Sequence, residues 1–327
     1  MNNSKTDISV IMATYNPIWD KCIFTLDSII GQADVELELI IVDDGSKNNC
    51  FPEIETYLNR KDFKNYKLID HSTNQGTVKN YYDGVCAAAG KYIKLISPGD
   101  ALFNETSLYD WIIFLEESGK RWSFSDAVYY SSDNSANQII KCPVAPRIID
   151  CYEKNNESEC IWNYVVLEDL PLGAAILCQR ELFLEYLTQI IDVVVYSEDL
   201  SYVAMMYDGI LPAYYCRPGI IYEFGCGVST INDEKWRSRF HNDQKNAELR
   251  IADKSVTNEL QGRITKALRK INSGDEKKKR LLKNLQKGGL KKVLKYRFDP
   301  RMSSTDITSC GQWLNDYISN SRCLDES

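Results

Sequence analysis

The sequence predicts an α/β protein: a mostly parallel, Rossmann-like sheet flanked by helices, with a helical C-terminal extension. Three observations carry this. Over the first 130 residues, short β-branched runs alternate with segments whose apolar residues recur at helical spacing, as parallel strands joined by crossover helices require. Each run stops at a polar, turn-forming cluster, and open α/β sheets bind ligands beyond the carboxyl ends of their strands. From Glu234 onward helical periodicity takes over. The expected division is a main domain over 1–230 and a basic helical region over 231–327.

In order, DISVIMA (7–13) reads as a first strand and WDKCIFTLDSII (19–30) as a helix closed by Gly31 in a left-handed cap. LELIIVDDGS (37–46) is a second strand ending in two aspartates, followed by a short helix near Phe51–Leu58. YKLIDH (66–71) is a third strand. Asn74-Gln75-Gly76 then opens the helix TVKNYYDGVCAAA, and KYIKLIS is a fourth strand that breaks at Ser97-Pro98-Gly99-Asp100. After Asp126 the rhythm weakens. Residues 129–137 suggest a hairpin or loop, 142–160 an irregular polar stretch, and LPLGAAILC (170–178) a strand leading into a helix from Arg180 to about Ile191. A helix begins near Ser197, and AYYCRPGIIYEFG (213–225) reads as two short strands around Arg217-Pro218-Gly219.

Composition narrows the class. With 44% hydrophobic and 26% charged residues, the chain of 327 residues suits a folded globular protein. Eleven cysteines without a CxxC pair, behind an N-terminus lacking signal-peptide character, are expected as free thiols in a reducing cytoplasm. Only two histidines, His71 and His241, argue against a His-rich zinc site. No stretch reaches the roughly 18 apolar residues of a membrane span. The net charge of −7 is uneven: Lys254–Arg301 holds 16 Lys and Arg against four Asp and Glu, so that segment is net +12 and the rest −19. So acidic a body is unsuited to nucleic acid.

The strand ends hold the candidate chemistry. Adjacent Asp43 and Asp44 repel each other, so one is expected to be satisfied by backbone donors and the other to accept from a ligand, such as a nucleotide's base or ribose; an Asp-Gly-Ser turn capping the next helix is the plainer reading. In Thr14-Tyr15-Asn16-Pro17 the proline forces a sharp turn, and Tyr15 offers a ring for stacking. Ser197-Glu198-Asp199 suits a helix cap, and equally a carboxylate that takes a proton from an attacking hydroxyl.

Together ISVIMATYNP, LIIVDDGS, NQGTVKN…AAAGKYIKLIS with its terminal Asp, and SEDLSYVAMM, in this order, resemble the family 2 glycosyltransferases of the GT-A fold, inverting enzymes of bacterial surface-polysaccharide type. The resemblance covers residues 7–240. It implies that Ala13, Thr14, Tyr15 and Asn16, with Asp43 and Asp44, hold the base and ribose of a nucleotide sugar, UDP-linked in many members. Asn74 and Gly76 match the loop before the next helix, and Lys79 falls near a family Arg that faces the nucleotide. Asp199 matches the general base, with Glu198 beside it, and Gly173 and Ala174 match a segment lining the acceptor side. The family's Asp-x-Asp, which binds Mg²⁺ or Mn²⁺ on the diphosphate, is reduced here to Ser97-Pro98-Gly99-Asp100. Pro98 and Gly99 are thus expected at the donor, Asp100 as the surviving metal ligand, and His241 or Asp243 as a second one.

The implied activity is inverting transfer of a sugar from a UDP-sugar to a hydroxyl of a glycan or polyprenyl-diphosphate-linked acceptor, in O-antigen or capsule assembly. The alternative is a non-catalytic, glycosyltransferase-like nucleotide-sugar-binding or scaffold subunit. A nucleotidyltransferase is disfavoured, because Ala13–Asp20 lacks a Gly-rich phosphate loop. EKKKRLLKNLQKGGLKKVLKYRF (276–298) alternates leucines with lysines, a pattern suited to peripheral contact with an anionic cytoplasmic membrane face, or to a helix packed on the core with a solvated basic side.

Overall fold

The computed structural model describes residues 6–131, 138–140, 144–225 and 234–273. The first half follows the expected alternation: β1 (Ile8–Thr14), α1 (Trp19–Ile30), β2 (Leu37–Asp43), α2 (Phe51–Arg60), β3 (Tyr66–Asp70), α3 (Thr77–Ala87) and β4 (Tyr92–Ile96). There follow β5 (Ala101–Leu102), α4 (Ser107–Ser118), β6 (Trp122–Ser131), β7 (Gln138–Ile140), α5 (Asp150–Glu153), α6 (Glu157–Val165), a 3₁₀ turn at Gly173–Ala175 and β8 (Ile176–Gln179). The remaining described elements are α7 (Arg180–Thr188), α8 (Leu200–Tyr207), β9 (Ala213–Glu223), α9 (Glu234–Ala252) and α10 (Glu259–Asn272).

The sheet runs β3-β2-β1-β4-β8-β6-β9-β5, with β7 paired to β6. Its first four strands are parallel. Beyond them the sheet is mixed: β8 pairs antiparallel with both β4 and β6, while β6 and β9 are parallel. Two reversals cancel, so β6 and β9 point the same way as β1 and β4. The carboxyl end of β9 therefore emerges on the edge where β1, β2 and β4 also end. β1 and β2 are buried almost throughout, as strands covered on both faces must be. The core includes Ala247 and Ile251 of α9 and Ile264, Leu268 and Ile271 of α10, clustered with residues of the sheet and of α6 to α8.

Several local expectations are corrected. Gly31 is not left-handed (φ −76°); α1 ends with its N–H on Asp27 O instead. The stretch 142–160 contains α5 and the first turn of α6, the latter capped by Asn156, whose side chain accepts from Glu159 N. Only the last three residues of the 170–178 run are strand, as the start of β8, because the chain turns at Gly173 first. The expected pair of strands at 213–225 is one strand, β9, which absorbs Pro218 through register shifts against Asp126. The helical stretch from Glu234 onward is divided between Ala252 and Glu259. The basic segment 276–298 lies outside the described residues. Among the described residues, no helix is long and apolar enough to cross a membrane.

Candidate active site

Along the carboxyl edge of the sheet lies a cleft of about 810 Å³. One wall is the turn after β1. Asn16 takes a positive φ there, its N–H donates to Ser46 Oγ (2.6 Å) and its side-chain oxygen accepts from Lys47 N (3.2 Å). Tyr15 is exposed beside it. The two aspartates after β2 divide their work. Asp43 is fully buried and accepts from Thr14 Oγ1 (2.8 Å), Ser46 Oγ (2.6 Å) and Ser46 N (2.7 Å). Asp44 lines the cleft and accepts from Gln75 N (2.7 Å) and Gly76 N (2.9 Å) at the start of α3. Both carboxylates thus lock the loops together, and only Asp44 also borders the cleft.

The second wall is the segment before α8. Asp199 occupies the N-cap position, yet its side chain makes no capping hydrogen bond; it lies against Gly173 instead, where an added Cβ would overlap its carboxylate oxygens. Burial pushes Asp199 up to about 6 while the Lys94 ammonium pulls the other way. Glu198 is also held well above the usual carboxylate range, by burial and by the adjacent Asp199 charge. The loop ahead of them is held from two sides. Val78 N of α3 donates to Val195 O (3.0 Å), and Asp243 of α9 accepts from Val195 N (3.2 Å) and Tyr196 N (2.6 Å).

The cleft's third boundary is the turn after β4. Gly99, at φ +101°, donates its N–H to Thr25 Oγ1 (3.0 Å), and its carbonyl accepts from the Tyr130 hydroxyl. Asp100 is buried, its Oδ1 accepting from Glu223 N (3.0 Å), and burial lifts it to about 7. Glu223 brings a second carboxylate from the end of β9. An added Cβ on Gly99 would overlap Glu223 Oε2, so Glu223 fills the space that a side chain at position 99 would take. Lys21 Nζ rests on both Glu223 oxygens, at 2.6 and 2.7 Å.

The cleft therefore brings together Ala13, Thr14, Tyr15, Asn16, Asp44, Pro98, Asp100, Gly173, Ala174, Glu198 and Asp199. Asp43, Gly76 and Gly99 stand behind its walls as backbone or hydrogen-bond supports. Asn74 is exposed and does not line the cleft. Lys79 pairs with Asp83 and lies over the Tyr82 ring. His241 is on the exposed side of α9, its Nδ1 at 2.9 Å from Arg237 O, whereas Phe240 and Gln244 of that helix line the cleft. Asp243 is occupied by the backbone donors named above.

No three His, Cys, Asp or Glu side chains converge among the described residues as a metal site. The donor set at the β4 turn nevertheless suits a hard divalent ion. Asp100 and Glu223 adjoin there, and the Lys21 ammonium already stands on Glu223 as a cation. Magnesium keeps waters and needs only one or two protein carboxylates when phosphate oxygens complete its shell.

Sequence reasoning missed Lys21, Tyr81, Lys94, Glu223, Phe240 and Gln244. Two left a trace: Lys94 interrupts an otherwise apolar strand, and Glu223 stands, like the other site acids, at the carboxyl end of one.

Comparison with known proteins agrees with this geometry. Residues 9–160 match the family described as Glycosyl transferase family 2, and the mixed sheet with flanking helices is consistent with the GT-A architecture; the matched segment is similar to that family. Among curated relatives, the uncharacterized glycosyltransferase YibD of Escherichia coli is 32% identical over 103 residues, covering 32% of this chain and 29% of YibD. The bifunctional glycosyltransferase pgtA of Dictyostelium discoideum is 32% identical over 99 residues, covering 29% of this chain and 13% of pgtA. The match thus spans under a third of either relative. Among solved structures, S. aureus TarS 1-349 in complex with UDP-GlcNAc superposes with a TM-score of 0.54 at 14% identity, over 98% of this chain and 88% of that one. The mannosyltransferase PcManGT from Pyrobaculum calidifontis, in complex with GDP-Man and Mn²⁺, gives 0.57 at 15%, over 99% and 89%. At these identities the likeness shows the fold.

Proposed function

We propose that the protein is an inverting glycosyltransferase that moves a sugar from a nucleotide-sugar donor, a UDP-sugar, to a hydroxyl of a glycan or lipid-linked acceptor in surface-polysaccharide assembly. The observation that carries this reading is Asp199: a carboxylate at a helix start that is not spent on capping and faces a cleft bounded by the Tyr15 and Asp44 wall and by the Asp100 turn. In the reaction, the acceptor oxygen attacks the anomeric carbon, its proton passes to Asp199, and the bond to the nucleoside diphosphate breaks on the opposite face. Tyr15 and the adjoining backbone seat the base, and Asp44 the ribose. Asp100 and Glu223 would hold Mg²⁺ or Mn²⁺, which when bound neutralises charge on the departing diphosphate. Gly173 and Ala174, with Glu198, border the acceptor. The GDP-Man and UDP-GlcNAc complexes of the two structural neighbours support a nucleotide-sugar donor. Peripheral contact of the basic C-terminal segment with the cytoplasmic membrane face belongs to the same reading.

The test pairs binding with turnover. Nucleotide sugars are screened for thermal stabilisation with and without Mg²⁺ or Mn²⁺, and the best donor is followed for transfer or slow hydrolysis. Asp199→Asn is expected to lower turnover by about 10²- to 10⁴-fold and leave nucleotide affinity nearly intact. Undiminished turnover in that variant would remove Asp199 from the role. Tight nucleotide-sugar binding without turnover in the wild type would favour the non-catalytic scaffold.

A further inference from the structure

A lysine in the middle of a buried strand needs an explanation. Lys94, on β4, is fully buried. Its Nζ donates to Leu95 O (3.0 Å) and to Ala174 O, and lies 5.7 Å from the centre of the Trp111 ring. No carboxylate touches it at salt-bridge distance among the described residues. A buried cation without an adjacent anion is costly, and such groups persist where the charge has a use. Burial lowers Lys94 to about 7, while Asp100 and Asp199 both favour its charged form. The carbonyl it holds belongs to the Gly173–Ala175 turn, and Gly173 is the residue against which the Asp199 carboxylate lies.

Lys94 therefore touches the active site twice, by a hydrogen bond that fixes the turn behind Asp199 and by a field that reaches Asp199 through the protein. The other ionisable groups facing Asp199 act against its charge or are neutral. Glu198 adjoins it, and the phenols of Tyr81 on α3, Tyr164 on α6 and Tyr202 on α8 are all held far up, by burial first and by the surrounding acids second. Lys94 is the cation that acts on Asp199.

We propose that Lys94 is a positioning residue of the transfer reaction: pinned beneath the cleft floor, it seats the Gly173–Ala175 turn against Asp199 and keeps that carboxylate in its proton-accepting form. This rests on the role given to Asp199 above. Lys94 itself does not reach substrate. Its action is read in the protonation of another residue, which a merely space-filling side chain would not alter.

The experiment follows the carboxyl carbon of Asp199 by NMR in full-length protein labelled at aspartate, the signal being assigned through Asp199→Asn. The wild type is expected to titrate near 6. In Lys94→Met the midpoint should rise by about one pH unit, so that transfer falls about tenfold at pH 5 and only about twofold at pH 7 and recovers towards alkaline pH, the donor KM staying put. Lys94→Arg, which keeps the charge, should retain the wild-type midpoint. An Asp199 midpoint that is the same in Lys94→Met as in the wild type overturns the proposal, as does a loss of turnover equal at all pH values. Should Lys94→Met not fold, Lys94→Gln carries the same comparison. If the midpoint moves but no nucleotide sugar is turned over by the wild type, the transferase reading falls and the coupling of Lys94 to Asp199 stands.

Discussion

Asp199 carries opposing demands on one side chain. Its carboxyl is raised from 3.8 to about 6 in the folded protein, so the folded state holds its proton more tightly than the unfolded chain. The corresponding stability is present at low pH and is lost as pH rises through about 6. Asp199→Asn removes that penalty. The variant is expected to melt a few degrees above the wild type at pH 8, for a gain of about 1–2 kcal/mol once the group's partial exposure is discounted, and to melt alike near pH 4. Thermal denaturation at the two pH values checks it. The same ionisation sets an acid limb on turnover: transfer should rise with pH through about 6, as the base loses its proton, which a pH–rate profile reads directly.

Among the elements, α9 is the one whose importance was least legible. Its sequence, EKWRSRFHNDQKNAELRIA, is polar over most of its length and draws attention to His241. The structure places its contact with the site two residues along, in Asp243, which takes two backbone N–H groups from the loop leading into Ser197-Glu198-Asp199. Asp243→Ala leaves both donors without that acceptor, at a cost of about 1–3 kcal/mol. It should lower turnover more than it lowers nucleotide affinity, because it frees the Asp199 loop and leaves the Tyr15 and Asp44 wall intact; calorimetry and initial rates separate the two. By contrast β1, β2 and β4 were readable from sequence, since a strand buried on both faces is a continuous apolar run. β9 was not. Its Arg217-Pro218-Gly219 looks like a turn locally, and only pairing with β6 across a bulge keeps it one strand and delivers Glu223 to the ligand edge.

At the scale of the whole molecule, α9 and α10, the helices described after residue 230, are continuous with the main core. Tyr207 of α8 meets Thr265 Oγ1 at 2.9 Å, and its carbonyl accepts from Gln261 Nε2 at 3.0 Å, both partners on α10. Ile251, Ile264, Leu268 and Ile271 are buried with the residues of α6 to α8. A chain ending at residue 230 would uncover these apolar surfaces and lose Asp243. It is expected to lose a single cooperative melting transition or to aggregate, and a chain ending at residue 273 to retain that transition, which scanning calorimetry distinguishes. The sequence signalled this region as helical and basic, but its union with the α/β part depends on long-range packing that no local pattern encodes. The order of loops along the carboxyl edge was legible because each is a short polar segment fixed to the end of a strand. Which side chains enter the cleft was less so, because a helix can turn a lysine such as Lys79 outward while its neighbours Thr77 and Asn80 face in.

Gly99 and Glu223 bind these scales together through a shared volume. Because the carboxylate of Glu223 fills the volume beside a glycine held at φ +101°, a side chain at position 99 would have to displace the tip of Glu223 and strain the backbone. Gly99→Asp would not restore a richer acidic motif; it would force a side chain into Glu223 and into a backbone conformation that few residues tolerate. The substitution becomes acceptable only when Glu223 is shortened and the turn relaxes. The cost of Gly99→Asp is expected to be smaller beside Glu223→Ala than alone, a non-additivity that a double-mutant cycle of melting temperatures reads.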